Sequence, residues 1–199
     1  MANESSGRLV LASASPRRLD LLRQIGIEPA HVAAADIDES PFPREQPAFH
    51  AKRLACEKAV TVAPQFPGDF VLAADTVVAV GRRILGKPAN ADEARSFLTL
   101  LSGRRHQVIG GVAVIDATGR MHTRTVTSAV RFRRLTNADI EGYLACGEWH
   151  DKAGGYAIQG LAAVFIAFIS GSYSNIVGLP LHETATLLAG VGFKTLPQP

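Results

Sequence analysis

Two periodicities alternate along this chain, and each switch between them marks an element. Leu9 to Ala12 is an apolar run of strand type that breaks into Ser13-Ala14-Ser15-Pro16-Arg17-Arg18. Leu19, Leu21, Leu22 and Ile25 then recur at helical spacing, and Gly26 is a natural stop. Pro suits the first helical position because it has no N–H to leave unpaired, and Ser15 before it is a good N-cap. The stretch predicts strand, tight turn, helix. His31 to Ala35 predicts a short strand, and Ser40-Pro41-Phe42-Pro43 a loop. From Gln46 to Ala63 the pattern is helical, with Ala51, Leu54, Ala55 and Val62 on one stripe. Lys58 falls on that stripe, either as an edge residue that reaches water or as a cation delivered into a cleft.

Phe70 to Val80 predicts a buried strand, turning at Gly81-Arg82 into Arg83 to Leu85 and the loop Gly86-Lys87-Pro88. Asn90 or Asp92 opens a helix through Leu101. Two long β segments follow, His106 to Asp116 and His122 to Arg134, and Thr136 caps a helix through Ala145. Trp149 to Gly160 reads as a Gly-containing loop, Ala162 to Ile169 and Tyr173 to Val177 as strands, and Leu181 to Ala189 as a closing helix. Helices and strands interleave without strict alternation, and hairpins are present. That predicts an α/β fold with a mixed sheet. With 199 residues and neither repeat nor linker, the expectation is one domain over 1–199.

Composition narrows the class. Hydrophobic residues make up 47% and charged residues 20%, which suits a soluble globular protein. The longest apolar run, Leu161 to Ile169, is too short to span a bilayer. Met1 to Gly7 lacks the basic-then-apolar layout of a signal peptide, and Cys56 and Cys146 form neither a disulfide framework nor a metal spacing. The expected compartment is the cytoplasm, with no membrane partner. The net charge of +3 is concentrated in Arg17-Arg18, Arg82-Arg83, Arg104-Arg105 and Arg131 to Arg134. These pairs are scattered over several elements and no aromatic-rich strand lies beside them, which argues against nucleic acid as a partner. The later pairs read as solvated rims.

The first pair is different. A helix N-terminus carries partial positive charge, so Arg17 and Arg18 there cost stability unless an anion sits between them. Free N–H groups, the Ser13 and Ser15 hydroxyls and two guanidinium forks make a phosphate site. The alternative is a solvated pair bonded to Asp20 or another carboxylate; the strand-to-helix context and both serines favour the anion. Gly81 to Pro88 has the outline of a phosphate-binding P-loop, but Pro88 lacks the hydroxyl and the N–H that the motif needs. Lys87 remains a candidate phosphate partner. Asp75 interrupts the most apolar strand, where a carboxylate must be paired, metal-bound or catalytic. Glu39 is either a solvated loop residue or a second carboxylate, and two oxygen ligands with substrate phosphates are the usual way to hold Mg²⁺ or Mn²⁺.

Leu11 to Arg18, Ile37-Asp38-Glu39, Leu54 to Ala59, Ala74-Asp75-Thr76, Gly86-Lys87-Pro88, Leu101-Ser102-Gly103, Asp151 to Gly160 and Gly178-Leu179-Pro180 together closely resemble the Maf family of nucleoside triphosphate pyrophosphatases. The resemblance implies the inosine-triphosphatase-like fold, a long mixed sheet with helices forming two lobes around a cleft. It implies hydrolysis between the α- and β-phosphates to a monophosphate and pyrophosphate with a divalent metal. Asp75 matches the proton acceptor. Ser13, Ser15, Arg18, Lys58 and Lys87 would take phosphates, and Glu39 and Asp75 the metal. Arg17, Thr76 and Gln159 match the branch acting on dTTP and UTP, where an amide suits the neutral donor and acceptor edge of a pyrimidine. The substrate would be a canonical or modified pyrimidine triphosphate, and a homodimer is the family's expectation. The rivals are another base preference, such as 7-methyl-GTP, and a nucleotide-binding regulator of cell division without turnover. Thr76 follows Asp75 on one strand, so its side chain points to the opposite face and reaches a base only if the strand bends or ends.

Overall fold

The computed structural model describes residues 7–195. The polar opening read above as unlike a leader lies outside them, save for Gly7. Leu9–Leu11 (β1) leads through a tight turn into Pro16–Gln24 (α1), and His31–Val32 (β2) follows. Pro47–Val62 (α2) precedes the long strand Phe70–Val80 (β3) and its hairpin partner Arg83–Leu85 (β4). Ala91–Leu101 (α3), Arg105–Ile115 (β5), Met121–Phe132 (β6) and Asn137–Cys146 (α4) come next. The chain closes with Ile166–Ser170 (β7), Tyr173–Val177 (α5) and Leu181–Gly190 (α6).

The sheet is mixed. Its order is β2-β1-β3-β5-β6-β7, with β4 paired to the far end of β3. β1 runs parallel to β2 and β3, and every other pairing is antiparallel. One edge of β3 has a gap. β1 covers Phe70 to Leu72 and β4 covers Val78 to Val80, so Ala73 to Val77 have no strand neighbour on that side. Asp75 and Thr76 sit in this notch.

The two faces of β3 divide the core. Phe70, Leu72 and Ala74 pack under α1 and α6 with Leu21, Leu22, Leu187 and Leu188. On the opposite face Val71 and Ala73 pack against Ala55, Ala59 and Val62 of α2. Farther along, Val78 joins Leu85, Phe97, Leu101, Phe132 and Tyr143 in a second group under α3 and α4. Burial of each such large side chain stabilises the fold by about 1.5–3 kcal/mol. Opposite Asp75 and Thr76, β5 carries Gly111 and Gly110. A Cβ on Gly111 would stand 2.1 Å from the Ala51 carbonyl oxygen of α2, and one on Gly110 would stand 2.1 Å from Oδ1 of the fully buried Asn175. The pair lets α2 close on one face and α5 on the other.

Several boundaries differ from the sequence reading. Tyr173 to Val177 is a helix, not a strand: the Ser172 hydroxyl accepts from the Asn175 N–H and nucleates a short turn. The first half of Ala162 to Ile169 is a 3₁₀ helix, Leu161–Phe165, because the strand can begin only where β6 offers a partner. His31 to Ala35 keeps ladder pairing only at His31 and Val32. Asn90, not Asp92, caps α3, accepting from the Glu93 N–H at 2.9 Å. Ser15 stands at the N-cap of α1, but its side chain makes no cap bond; its N–H donates to Ser13 Oγ instead. Among the described residues no helix is long and apolar enough to cross a membrane. Both cysteines are free.

Candidate active site

A cavity of about 570 Å³ opens at the notch, within the range of small-molecule sites. All ten residues singled out from the sequence line it: Ser13, Ser15, Arg17, Arg18, Glu39, Lys58, Asp75, Thr76, Lys87 and Gln159. They arrive from seven places, namely the turn before α1, the first turn of α1, the segment after β2, α2, β3, the loop after β4 and the Gly-rich loop before β7.

Lys58 is delivered into the cleft. Its Nζ lies 2.6 Å from Asp75 Oδ1 and 2.6 Å from Glu39 Oε1, with only 8% of the side chain exposed. Lys87 Nζ donates to the other Glu39 oxygen at 2.8 Å. Burial would raise the Glu39 pKa, but hydrogen bonds from Lys58 and Lys87 hold it down at about 2. The two sequence readings of Asp75 therefore coincide: it is paired with a lysine, and it faces the cavity. The helix that carries Lys58, α2, packs directly on Gly111, the cross-strand partner of Asp75.

Arg18 is buried, and its contacts are all neutral. Nε donates to the Gly178 carbonyl at 2.9 Å, Nη1 to Ser13 Oγ at 2.9 Å and Nη2 to Thr76 Oγ1 at 3.3 Å. Its pKa is lowered by burial and partly restored by the charge of Asp75. A guanidinium has five N–H donors, so two remain for a ligand. A buried cation in contact with no carboxylate among the described residues is costly until an anion joins it. Ser13, 5% exposed, accepts from both Arg18 and the Ser15 N–H, which leaves its own proton to donate.

Thr76 does point to the face opposite Asp75, where its hydroxyl accepts from Arg18 and donates to the Gly178 carbonyl at 3.3 Å. It still lines the cavity. The strand does not end there, since its register with β5 runs on to Ala79; its neighbour β1 stops, and both faces of β3 become reachable from the open edge.

Arg17, Asp151, Lys152 and Gln159 also line the cavity. Burial lowers the pKa of Arg17, against the attraction of Asp151, and burial together with the Arg17 charge lowers that of Lys152. Gln159 is exposed and makes no side-chain hydrogen bond among the described residues. Asp151, Lys152 and Gly178 were not singled out from the sequence as site residues. A charged pair entering a Gly-rich loop was the available signal for the first two, and a Gly before Leu-Pro, here at φ +149°, for the third. The other basic pairs are exposed, as expected of rims.

A family model described as Maf-like protein matches residues 8–191. The chain belongs to the Maf family. A relative in Paramagnetospirillum magneticum, named dTTP/UTP pyrophosphatase, is 62% identical over 93% of this chain and 97% of its own length. A relative of the same name in Caulobacter vibrioides is 58% identical over 94% and 96%. Among solved structures, a HAM1 protein from Coxiella burnetii superposes with a TM-score of 0.50 at 15% identity, covering 92% of this chain and 99% of that one. That likeness is one of fold, and the mixed sheet agrees with the Maf architecture expected from the sequence.

Proposed function

We propose that this Maf protein hydrolyses the α–β phosphoanhydride of dTTP and UTP to the nucleoside monophosphate and pyrophosphate. Relatives at 50–62% identity that carry the name dTTP/UTP pyrophosphatase support the reaction and the pyrimidine preference over its rivals. The observation that carries it is the charge pattern of the cavity: Arg18 buried without a carboxylate beside Asp75 and Glu39 bridged by one lysine.

In this reading Arg18, Lys58 and Lys87, with the Ser13 and Ser15 hydroxyls, bind the triphosphate. The lysines are already held in place by Glu39 and Asp75, so phosphate oxygens meet pre-positioned ammonium groups and little reorganisation is needed. Asp75 takes the proton from the water that attacks the α-phosphorus, and pyrophosphate departs. Glu39 and Asp75 fit a hard divalent cation: both offer carboxylate oxygens on one lysine, and substrate phosphates would complete the coordination. Mg²⁺ or Mn²⁺ bound there would neutralise charge developing on the leaving group. Gln159, exposed and without a side-chain partner among the described residues, presents its amide to O4 and N3–H of uracil or thymine, and Arg17 lines the same cavity.

The test is kcat/KM for UTP, dTTP, CTP, GTP and 7-methyl-GTP with wild type and Gln159→Glu. Wild type should favour UTP and dTTP. The variant should lose UTP turnover, since a carboxylate repels O4, and gain tolerance for a cationic base. A wild type that prefers 7-methyl-GTP overturns the pyrimidine assignment, and an unchanged profile in the variant removes Gln159 from the base pocket.

A further inference from the structure

Glu39 lies in the irregular stretch between β2 and α2, with no ladder to hold it. Its side chain is 38% exposed, and among the described residues its carboxylate bonds only to Lys58 and Lys87, which the proposed function turns toward phosphate. Another anchor must hold this stretch when those lysines are shared with substrate. One stands on α2, five residues before Lys58. Arg53 Nη2 donates to the Ser40 carbonyl at 3.0 Å, immediately after Glu39. Nε and Nη2 grip the two Glu45 oxygens at 2.7 and 2.9 Å, and Nη1 reaches Glu57 at 3.0 Å. The guanidinium carbon lies 3.9 Å from the centre of the Phe42 ring. Glu45 in turn accepts from the Phe42 N–H at 3.0 Å and contacts His50 Nδ1 at 2.9 Å. Glu45 and His50 are at most 9% exposed and Arg53 is 16% exposed, so the clasp is largely shielded from water.

We propose that Arg53 is the positioning residue for Glu39, holding Ser40, Phe42 and Glu45 so that the Glu39 carboxylate keeps its place between Lys58 and Lys87 when substrate binds. The claim rests on the role given to Glu39 above. Among the described residues every partner of the Arg53 side chain lies between Ser40 and Glu57, so what the guanidinium organises is this stretch against its own helix. A planar fork with fixed donor directions suits that task, and neither Gln nor Lys reproduces it.

The experiment is a double-mutant cycle of Arg53→Gln and Glu39→Gln, read as kcat/KM for dTTP, with thermal melting to confirm folding. Mn²⁺ binding, in the presence of a non-hydrolysable α,β-imido analogue of dUTP and followed by the EPR signal of free Mn²⁺, gives a readout that does not depend on turnover. Arg53→Gln should lower kcat/KM by tenfold or more in the wild-type background and by less than twofold in Glu39→Gln. Both single variants should weaken Mn²⁺ binding severalfold. Equal losses in the two backgrounds, an unchanged Arg53→Gln enzyme, or Mn²⁺ binding weakened by Glu39→Gln alone would each overturn the proposal. If Arg53→Gln does not fold, Glu45→Gln removes the other half of the clasp and must show the same coupling. A normal Glu39→Gln enzyme would remove Glu39 from the site and the positioning claim with it. That variant leaves the clasp intact, so the two failures are distinct.

Discussion

Adding one methyl group to Gly111, on the strand beside Asp75, should disable the site through the helix that packs on both. Gly111 pairs with Asp75 across β3 and β5, and α2 rests directly on it. A Cβ there would lie 2.1 Å from the Ala51 carbonyl oxygen, 2.5 Å from its carbon and 2.9 Å from the Lys52 nitrogen. All three atoms are backbone, so no rotamer change relieves the contact. The helix must retreat by roughly 1 Å, and overpacking of this kind costs about 1–3 kcal/mol. For a chain of this size that lowers Tm by about 2–12 °C. The retreat also carries Lys58 away from Asp75, where the distance is 2.6 Å. A displacement of about 1 Å in a catalytic group can cost on the order of a hundredfold in rate. Calorimetry and steady-state pyrophosphate release measure both effects. Gly142→Ala is the control: it lies within α4, a Cβ there meets nothing within 4 Å, and it should raise stability by about 0.5–1 kcal/mol without touching turnover. A Gly111→Ala enzyme with native Tm and kcat would refute the claim that close packing of α2 sets the lysine–aspartate contact.

Two further outcomes follow from buried charge. His106 is 2% exposed, and burial lowers its pKa from 6.5 to about 4. The unfolded chain takes up a proton there below about pH 6.5 while the folded protein does not, so His106 removes stability as pH falls from 6.5 to 4, by roughly 2–3 kcal/mol at the lower end. Urea unfolding at pH 7 and pH 5 should show that loss in wild type and much less of it in His106→Gln; equal slopes would contradict the assignment. Arg18→Ala and Lys87→Ala should both weaken triphosphate binding in a salt-sensitive way without reordering base preference. Only Arg18→Ala should also lower Tm, because it alone removes three internal hydrogen bonds; a reordered preference in either would place that residue in the base pocket.

Local chemistry made much of the scaffold legible. Pro16 at the head of a helix, the largely apolar strand Phe70–Val80 and the Thr136 cap each act through neighbours a few residues away, and the structure has them where the pattern put them. Tyr173 to Val177 misled because an aromatic and β-branched segment suggests a strand, while the Ser172 cap and the burial of Asn175 against the Val108 carbonyl decide for helix. The site was legible as a set of residue types, since buried or misplaced charges stand out against apolar surroundings. Their mutual contacts were not. That Lys58 bridges Asp75 and Glu39 is set by how α2 packs on β3 and β5, and that Thr76 reaches the cavity by where β1 stops; both are long-range facts with no local signature. Arg53 left no signal either, because a charged residue on an amphipathic helix looks the same whether it is solvated or clasps a loop.

The central claim is that Asp75 drives water onto the α-phosphorus of a pyrimidine triphosphate in this cavity. Product analysis with dTTP, for wild type and Asp75→Asn at saturating substrate, tests it most directly. Wild type should release dTMP and pyrophosphate in equal amounts. The folded variant should bind dTTP with near-native affinity and lose a hundredfold or more in kcat, the scale of removing a general base. Near-normal turnover in Asp75→Asn, or dTDP and inorganic phosphate from the wild type, would contradict it.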